Sequence, residues 1–192
     1  MKKCIAITGG IGSGKSSVLR FLAERGYPVF SCDEIYCEVI QRPDYIQKIA
    51  GNFPECIING NIDRKLLAEI VFKNSEKLAL LNGLAHPLIM DRLFEKMHAC
   101  AEEIVFAEVP LLFEGHYENR FDAVIVVLRD KADRVRSIMM RDSITEEEAS
   151  SRMSMQFDYD NGKIRFDKCN AILIKNNGSI SDLNLKINAL TF

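Results

Sequence analysis

"ITGGIGSGKSS", Ile7 to Ser17, packs four glycines, one lysine and four hydroxyl side chains into eleven positions directly behind a short apolar run. Within it, Gly9-x-x-x-x-Gly14-Lys15-Ser16 fits the Walker A phosphate loop. Glycines at these steps let successive backbone N–H groups turn towards one anion, and the helix that follows contributes the positive end of its dipole. The motif needs a strand before it and a helix after it. Cys4–Thr8 is apolar and partly β-branched, and Lys15–Arg25 is helical in pattern and closed by Gly26. Gly10, Ile11, Gly12, Ser13, Gly14, Lys15, Ser16 and Ser17 are therefore candidates for binding a nucleoside triphosphate. Lys15 is placed to reach the β- and γ-phosphates, and Ser16 to offer its hydroxyl to Mg²⁺.

Further apolar runs at Val29–Cys32, Ile104–Val109, Ala123–Leu128 and Ala171–Ile174 read as strands. Most lack a strict alternation, as strands buried on both faces do. Helical patterns lie between them: Lys131–Arg141, a helix running from the Thr145/Glu148 capping box towards Gln156, and a terminal helix near Ser181–Leu190. Strand and helix in alternation predict an α/β fold, a P-loop core with a parallel sheet sandwiched by helices. From Glu34 to Glu103 the alternation stops, and helix follows helix with no convincing strand. The expected organisation is a nucleotide-binding core of residues 1–33, 104–140 and 169–192, a helical acceptor-binding insertion at 34–103 and a lid at 141–168.

The chain has 192 residues, 47% hydrophobic and 27% charged, with a formal net charge of -2. That balance excludes a disordered chain and a strongly basic nucleic-acid binder. No apolar run approaches the length of a membrane span, and the N-terminus turns glycine-rich before it could form a signal-peptide core. A cytoplasmic monomer with no nucleic-acid or membrane partner is the expectation. The six cysteines are scattered without a C-x-x-C pair, so they read as reduced thiols. "DYDNG", Asp158 to Gly162, opens like a calcium loop, but its glycine comes one place early and the closing glutamate is missing. Asn177-Gly178-Ser179 reads as a turn.

A phosphate loop alone does not separate kinases from switches or motors. The guanine-reading N-K-x-D and the transporter signature L-S-G-G-Q are both absent. Asp33 stands at the end of the second strand, the edge of an α/β sheet where ligands bind. A carboxylate there can take the proton of an attacking hydroxyl and help place Mg²⁺ through water, or simply cap the next helix. Glu108 ends the third strand near the usual Walker B position.

Taken in order, "ITGGIGSGKS", "SCDEIY", "IDRKLLAEIVF", "LNGLAHPLI", "VPLLFE", "MMRDSITEEEASSRMSMQ" and "KNNG" resemble the dephospho-CoA kinase family over essentially the whole chain. The resemblance implies transfer of the ATP γ-phosphoryl group to the ribose 3′-hydroxyl of dephospho-CoA. It implies Asp33 as general base, His86 on the acceptor side, and Pro110, Leu111 and Leu112 along the acceptor pocket. It also implies Arg141 as a lid arginine at the ATP phosphates and Asn176 at the adenine; the chemistry of phosphoryl transfer asks for cations on such a lid, which Arg141 and Arg152 would supply. A P-loop nucleoside or nucleoside-monophosphate kinase is the alternative. After Gln156 the chain departs from the family: "FDYDNGKIRFDKCNAILIKNNG" is longer and more acidic, with Lys163 and Arg165 as the cations that could replace a basic run. Asn170 stands where an acidic residue is frequent.

Overall fold

The structure is a computed structural model that describes residues 2–190. The chain runs β1 (Lys3–Thr8), α1 (Lys15–Glu24), β2 (Val29–Ser31), α2 (Cys32–Val39), α3 (Pro43–Asn52), β3 (Ile57–Ile58), β4 (Asn61–Ile62), α4 (Arg64–Val71) and α5 (Ser75–Ala99). It continues β5 (Ile104–Glu108), β6 (Ala123–Leu128), α6 (Lys131–Asp142), α7 (Glu146–Ser154), α8 (Lys163–Lys168), β7 (Ile172–Lys175) and α9 (Ile180–Asn188). Two compact units emerge, one of residues 1–30 and 100–192, the other of residues 31–99.

The first unit is built on a five-stranded sheet of order β2-β5-β1-β6-β7. β1 pairs in parallel with β5 and β6, and β6 in parallel with β7. β1, β5 and β6 are buried along almost their whole length, which is why these runs are apolar without alternation. On one face Ile5, Ile7, Phe106, Ile125 and Val127 pack against Val18 and Leu22 of α1 and Leu183 and Ile187 of α9. Phe106 is fully buried, so truncating it to alanine costs about 3 to 5 kcal/mol. The expected α/β class is thus the observed one, and the phosphate loop leaves the carboxyl end of the central strand. Asn177-Gly178-Ser179 is the entry to α9, where Ser179 and Asp182 form a capping box.

The second unit is helical around α5, which packs with α2, α3 and α4. Ile89, Met90, Leu93, Phe94 and Met97 recur on its buried face. Arg92 and Lys96, one turn apart on α5, both pair with Glu38 of α2. Asp63 caps α4 by accepting from the Lys65 and Leu66 N–H groups, both at 3.0 Å.

One expectation for this region is corrected. It does contain strands: Ile57–Ile58 and Asn61–Ile62 form an antiparallel hairpin across Asn59-Gly60. Both turn residues have positive φ, 51° and 77°, the geometry of the tight turn that asparagine followed by glycine favours. The strands are two residues each, too short for periodicity to register. Pro87 follows His86 directly. It lies inside the 25-residue α5, where it cannot donate to the carbonyl of Gly83. No helix among the described residues is long and apolar enough to cross a membrane.

Candidate active site

Gly14 caps α1 without a side-chain hydrogen bond, with φ 95° and ψ 22°. A glycine there leaves the first N–H groups of the helix accessible to an anion. A Cβ on Gly14 would collide with the Asn176 side-chain amide, whose Nδ2 donates to the Ser13 carbonyl at 2.8 Å. Asn176 is itself positioned through its backbone N–H, bonded to the Leu128 carbonyl at 2.8 Å. The loop therefore carries a support from the far end of the chain.

Lys15 is 9% exposed, and its Nζ donates to the carbonyls of Gly9 at 2.8 Å and Gly10 at 3.3 Å. The ammonium is held against its own loop. Ser13 is buried, and its Oγ has no hydrogen-bond partner among the described residues. Ser16 is exposed in the first turn of α1, and Ser17 donates its N–H to the Gly14 carbonyl at 3.0 Å. A loop that presents glycine N–H groups, a buried ammonium and an exposed serine hydroxyl fits a triphosphate and its Mg²⁺.

Several supports of this loop are not apparent from the sequence. Arg129 Nη1 reaches the Gly12 carbonyl at 3.4 Å and Ser137 Oγ at 2.9 Å. Arg134 is buried against Gly10 and Gly12. Gln156 Oε1 accepts from the Ile11 N–H at 2.7 Å, and Tyr159 Oη is 2.8 Å from Thr8 Oγ1. Arg129 and Arg134 follow the strand that flanks the loop, Gln156 closes a family motif, and Tyr159 lies in the stretch that departs from the family.

Asp33 is exposed in the first turn of α2. It is not the helix cap: Ser31 is, and Ser31 Oγ accepts from the Asp33 N–H at 3.2 Å. The strand accordingly ends at Ser31 and not at Cys32. His86 is half-buried on α5, and burial lowers its pKa. Glu108 is half-buried at the end of β5, in register with Ile7. Beyond it, Pro110 and Leu111 are partly exposed, whereas Leu112 is completely buried.

Arg141 and Arg152 come together on one carboxylate. Arg141 donates to both oxygens of Asp142 at 2.7 and 3.0 Å, and Arg152 Nη1 pairs with Asp142 Oδ2 at 2.6 Å. The Arg141 bond holds the Asp142 carboxyl below its ordinary range. The cations expected to replace a basic run are otherwise engaged. Arg165 bonds Glu118 Oε1 at 2.6 Å and His116 Nδ1 at 2.5 Å, and Lys163 pairs with Asp167 at 2.7 Å. Asn170 takes φ 49°, a left-handed step that asparagine tolerates better than most residues.

Known proteins resemble this chain throughout. The family model for dephospho-CoA kinase matches residues 3–182. A dephospho-CoA kinase of Fusobacterium nucleatum is 36% identical over 95% of this chain and 94% of its own. One from Thermus thermophilus is 33% identical over 97% of this chain and 89% of its own. A crystal structure of a Thermus thermophilus protein superposes with a TM-score of 0.82 at 33% identity, covering 98% of this chain and 95% of that one. A dephospho-CoA kinase from Campylobacter jejuni gives 0.68 at 29%, covering 98% and 94%. A shikimate kinase from Acinetobacter baumannii, at 17% identity and a TM-score of 0.55, shares the fold. With the phosphate loop formed at the end of the central strand and the match running from β1 into α9, the chain belongs to the dephospho-CoA kinase family.

Proposed function

We propose that this protein transfers the γ-phosphoryl group of ATP to the 3′-hydroxyl of the ribose of dephospho-CoA, giving coenzyme A and ADP. The observation that carries the reading is the family match over residues 3–182, on a chain whose phosphate loop has the geometry a triphosphate needs. In the transfer the acceptor oxygen forms a bond to the γ-phosphorus while the bond from that phosphorus to the β,γ-bridging oxygen breaks. The hydroxyl proton passes to the Asp33 carboxylate.

Charge on the equatorial oxygens is stabilised by Lys15, by the loop N–H groups and by Arg141, held ready by Asp142. The Ser16 hydroxyl would hold Mg²⁺, with Asp33 helping through water, and the ion would supply positive charge to the phosphates. His86, Pro110 and Leu111 lie on the acceptor side, and Asn176 lies at the adenine. We place residues 34–103 as the acceptor-binding part and 141–168 as the lid, and the protein as a cytoplasmic monomer.

The test is ADP formation by purified protein with ATP and Mg²⁺, with and without dephospho-CoA, and mass spectrometry of the product. Stimulation with a product one phosphate heavier than dephospho-CoA is expected. Asp33→Asn is expected to lose kcat while its ATP affinity is kept. Comparable turnover on AMP, CMP or adenosine would refute the assignment of the acceptor.

A further inference from the structure

The stretch that departs from the family, "DYDNG", has a structural purpose. Asp158 closes a tight turn, its Oδ1 accepting from the N–H groups of Asp160 at 3.0 Å and Asn161 at 3.2 Å. The turn sends Tyr159 inward and Asp160 sideways. The Tyr159 ring packs edge-on against Phe113 and Phe157, with centroids at 6.0 and 5.2 Å, and stacks on Phe166 at 6.3 Å. Its hydroxyl, 4% exposed with its residue, shares a buried 2.8 Å hydrogen bond with Thr8. Asp160 Oδ2 pairs with Arg134 Nη2 at 2.6 Å. The Arg134 guanidinium lies so close over Gly10 that a Cβ there would collide with Nη1. Three residues earlier than Tyr159, Gln156 bonds the Ile11 N–H.

Thr8 and Ile11 are thus each bonded from the same short segment, and Arg134, paired with Asp160 of that segment, lies against Gly10. We propose that Gln156, Tyr159 and Asp160, together with Arg134, form a clasp that holds the first half of the phosphate loop in its nucleotide-binding shape. These are positioning residues: they act through the loop backbone. The inference rests on the reading of this loop as the ATP site. Among the described residues, Arg134 is a buried cation with one carboxylate partner, and its Nε has no hydrogen-bond acceptor. Burying a guanidinium on so few partners is costly, a cost that fold stability alone does not require.

The experiment is calorimetric titration of the full chain with Mg²⁺ and ATP in the absence of acceptor, alongside thermal unfolding of each variant without ligand. Tyr159→Phe keeps the ring and deletes only the hydroxyl, and is expected to raise the ATP Kd about fivefold. Arg134→Gln is expected to raise it about tenfold, and Arg134→Lys, which keeps a cation for Asp160, to recover most of the loss. In turnover assays KM for ATP rises while KM for dephospho-CoA stays constant.

If the Tyr159→Phe and Arg134→Gln proteins unfold at lower temperature yet bind ATP with the wild-type Kd, these residues serve stability only and the clasp is refuted. Should Arg134→Gln fail to fold, Asp160→Asn reads the same pair from a side chain that is 50% exposed, and an unchanged Kd there refutes the ion pair as part of the clasp. Wild-type protein that binds no ATP refutes the functional reading itself. Wild-type protein that binds ATP without phosphorylating dephospho-CoA refutes only the acceptor.

Discussion

Gly14→Ala, examined with and without Asn176, measures how the phosphate loop is held. Gly14 takes φ 95°, and a methyl group there would meet the Asn176 amide that bonds the Ser13 carbonyl. Two separable costs follow. A left-handed backbone costs an L-residue about 1 to 2 kcal/mol. Displacing the amide forfeits one hydrogen bond, worth about 1 kcal/mol net. Gly14→Ala should therefore lower the unfolding free energy by about 2 to 3 kcal/mol, and Asn176→Ala by about 1 kcal/mol. In the double variant there is no amide left to displace, so the combined loss falls short of the sum by about 1 kcal/mol. Urea unfolding of the four proteins, followed by circular dichroism, gives the cycle. ATP titration of the same proteins should show weakened binding wherever alanine stands at 14. Losses that add within about 0.3 kcal/mol would show that the methyl and the amide do not meet, and would refute the support of the loop by Asn176.

Two other predictions concern charge. Burial lowers the His86 pKa below its ordinary 6.5, so its contribution to stability is complete above that pH and is lost as pH falls through the lowered value. Urea midpoints should drop between about pH 7.5 and about pH 5.5, and drop less in His86→Gln; equal drops would refute the assignment. Arg165→Ala strands the buried Glu118 carboxylate and should cost about 3 kcal/mol in unfolding free energy. Adding Glu118→Gln should recover part of that loss, because the stranded charge is gone, and no recovery would refute the ion pair as its source.

Local chemistry is legible in a sequence when the residues that decide it are neighbours. Gly9 to Ser16 set the phosphate loop. Thr145 with Glu148 and Ser179 with Asp182 close capping boxes three residues apart, although only the first is read from the sequence here. The hairpin at Asn59-Gly60 is equally local, since asparagine followed by glycine, here between Ile58 and Asn61, marks such a turn. Pro87 is the opposite case. A proline reads as a boundary, yet the apolar face formed by Ala85, Ile89, Leu93 and Met97 outweighs the one hydrogen bond it removes.

The sequence by itself determined the α/β class, the phosphate loop with its flanking strand and helix, and the family, because each rests on short spacings or on an ordered series of motifs. Only the tertiary structure decided the strand order β2-β5-β1-β6-β7 and the caging of that loop. Gln156, Tyr159 and Asn176 stand 145, 151 and 163 residues from the loop groups they bond. Arg165, a cation that could replace the family's basic run, bonds Glu118, 47 residues away. No local pattern carries such pairings, because they come about only when packing of the sheet and its covering helices brings distant side chains within hydrogen-bond reach, about 3 Å.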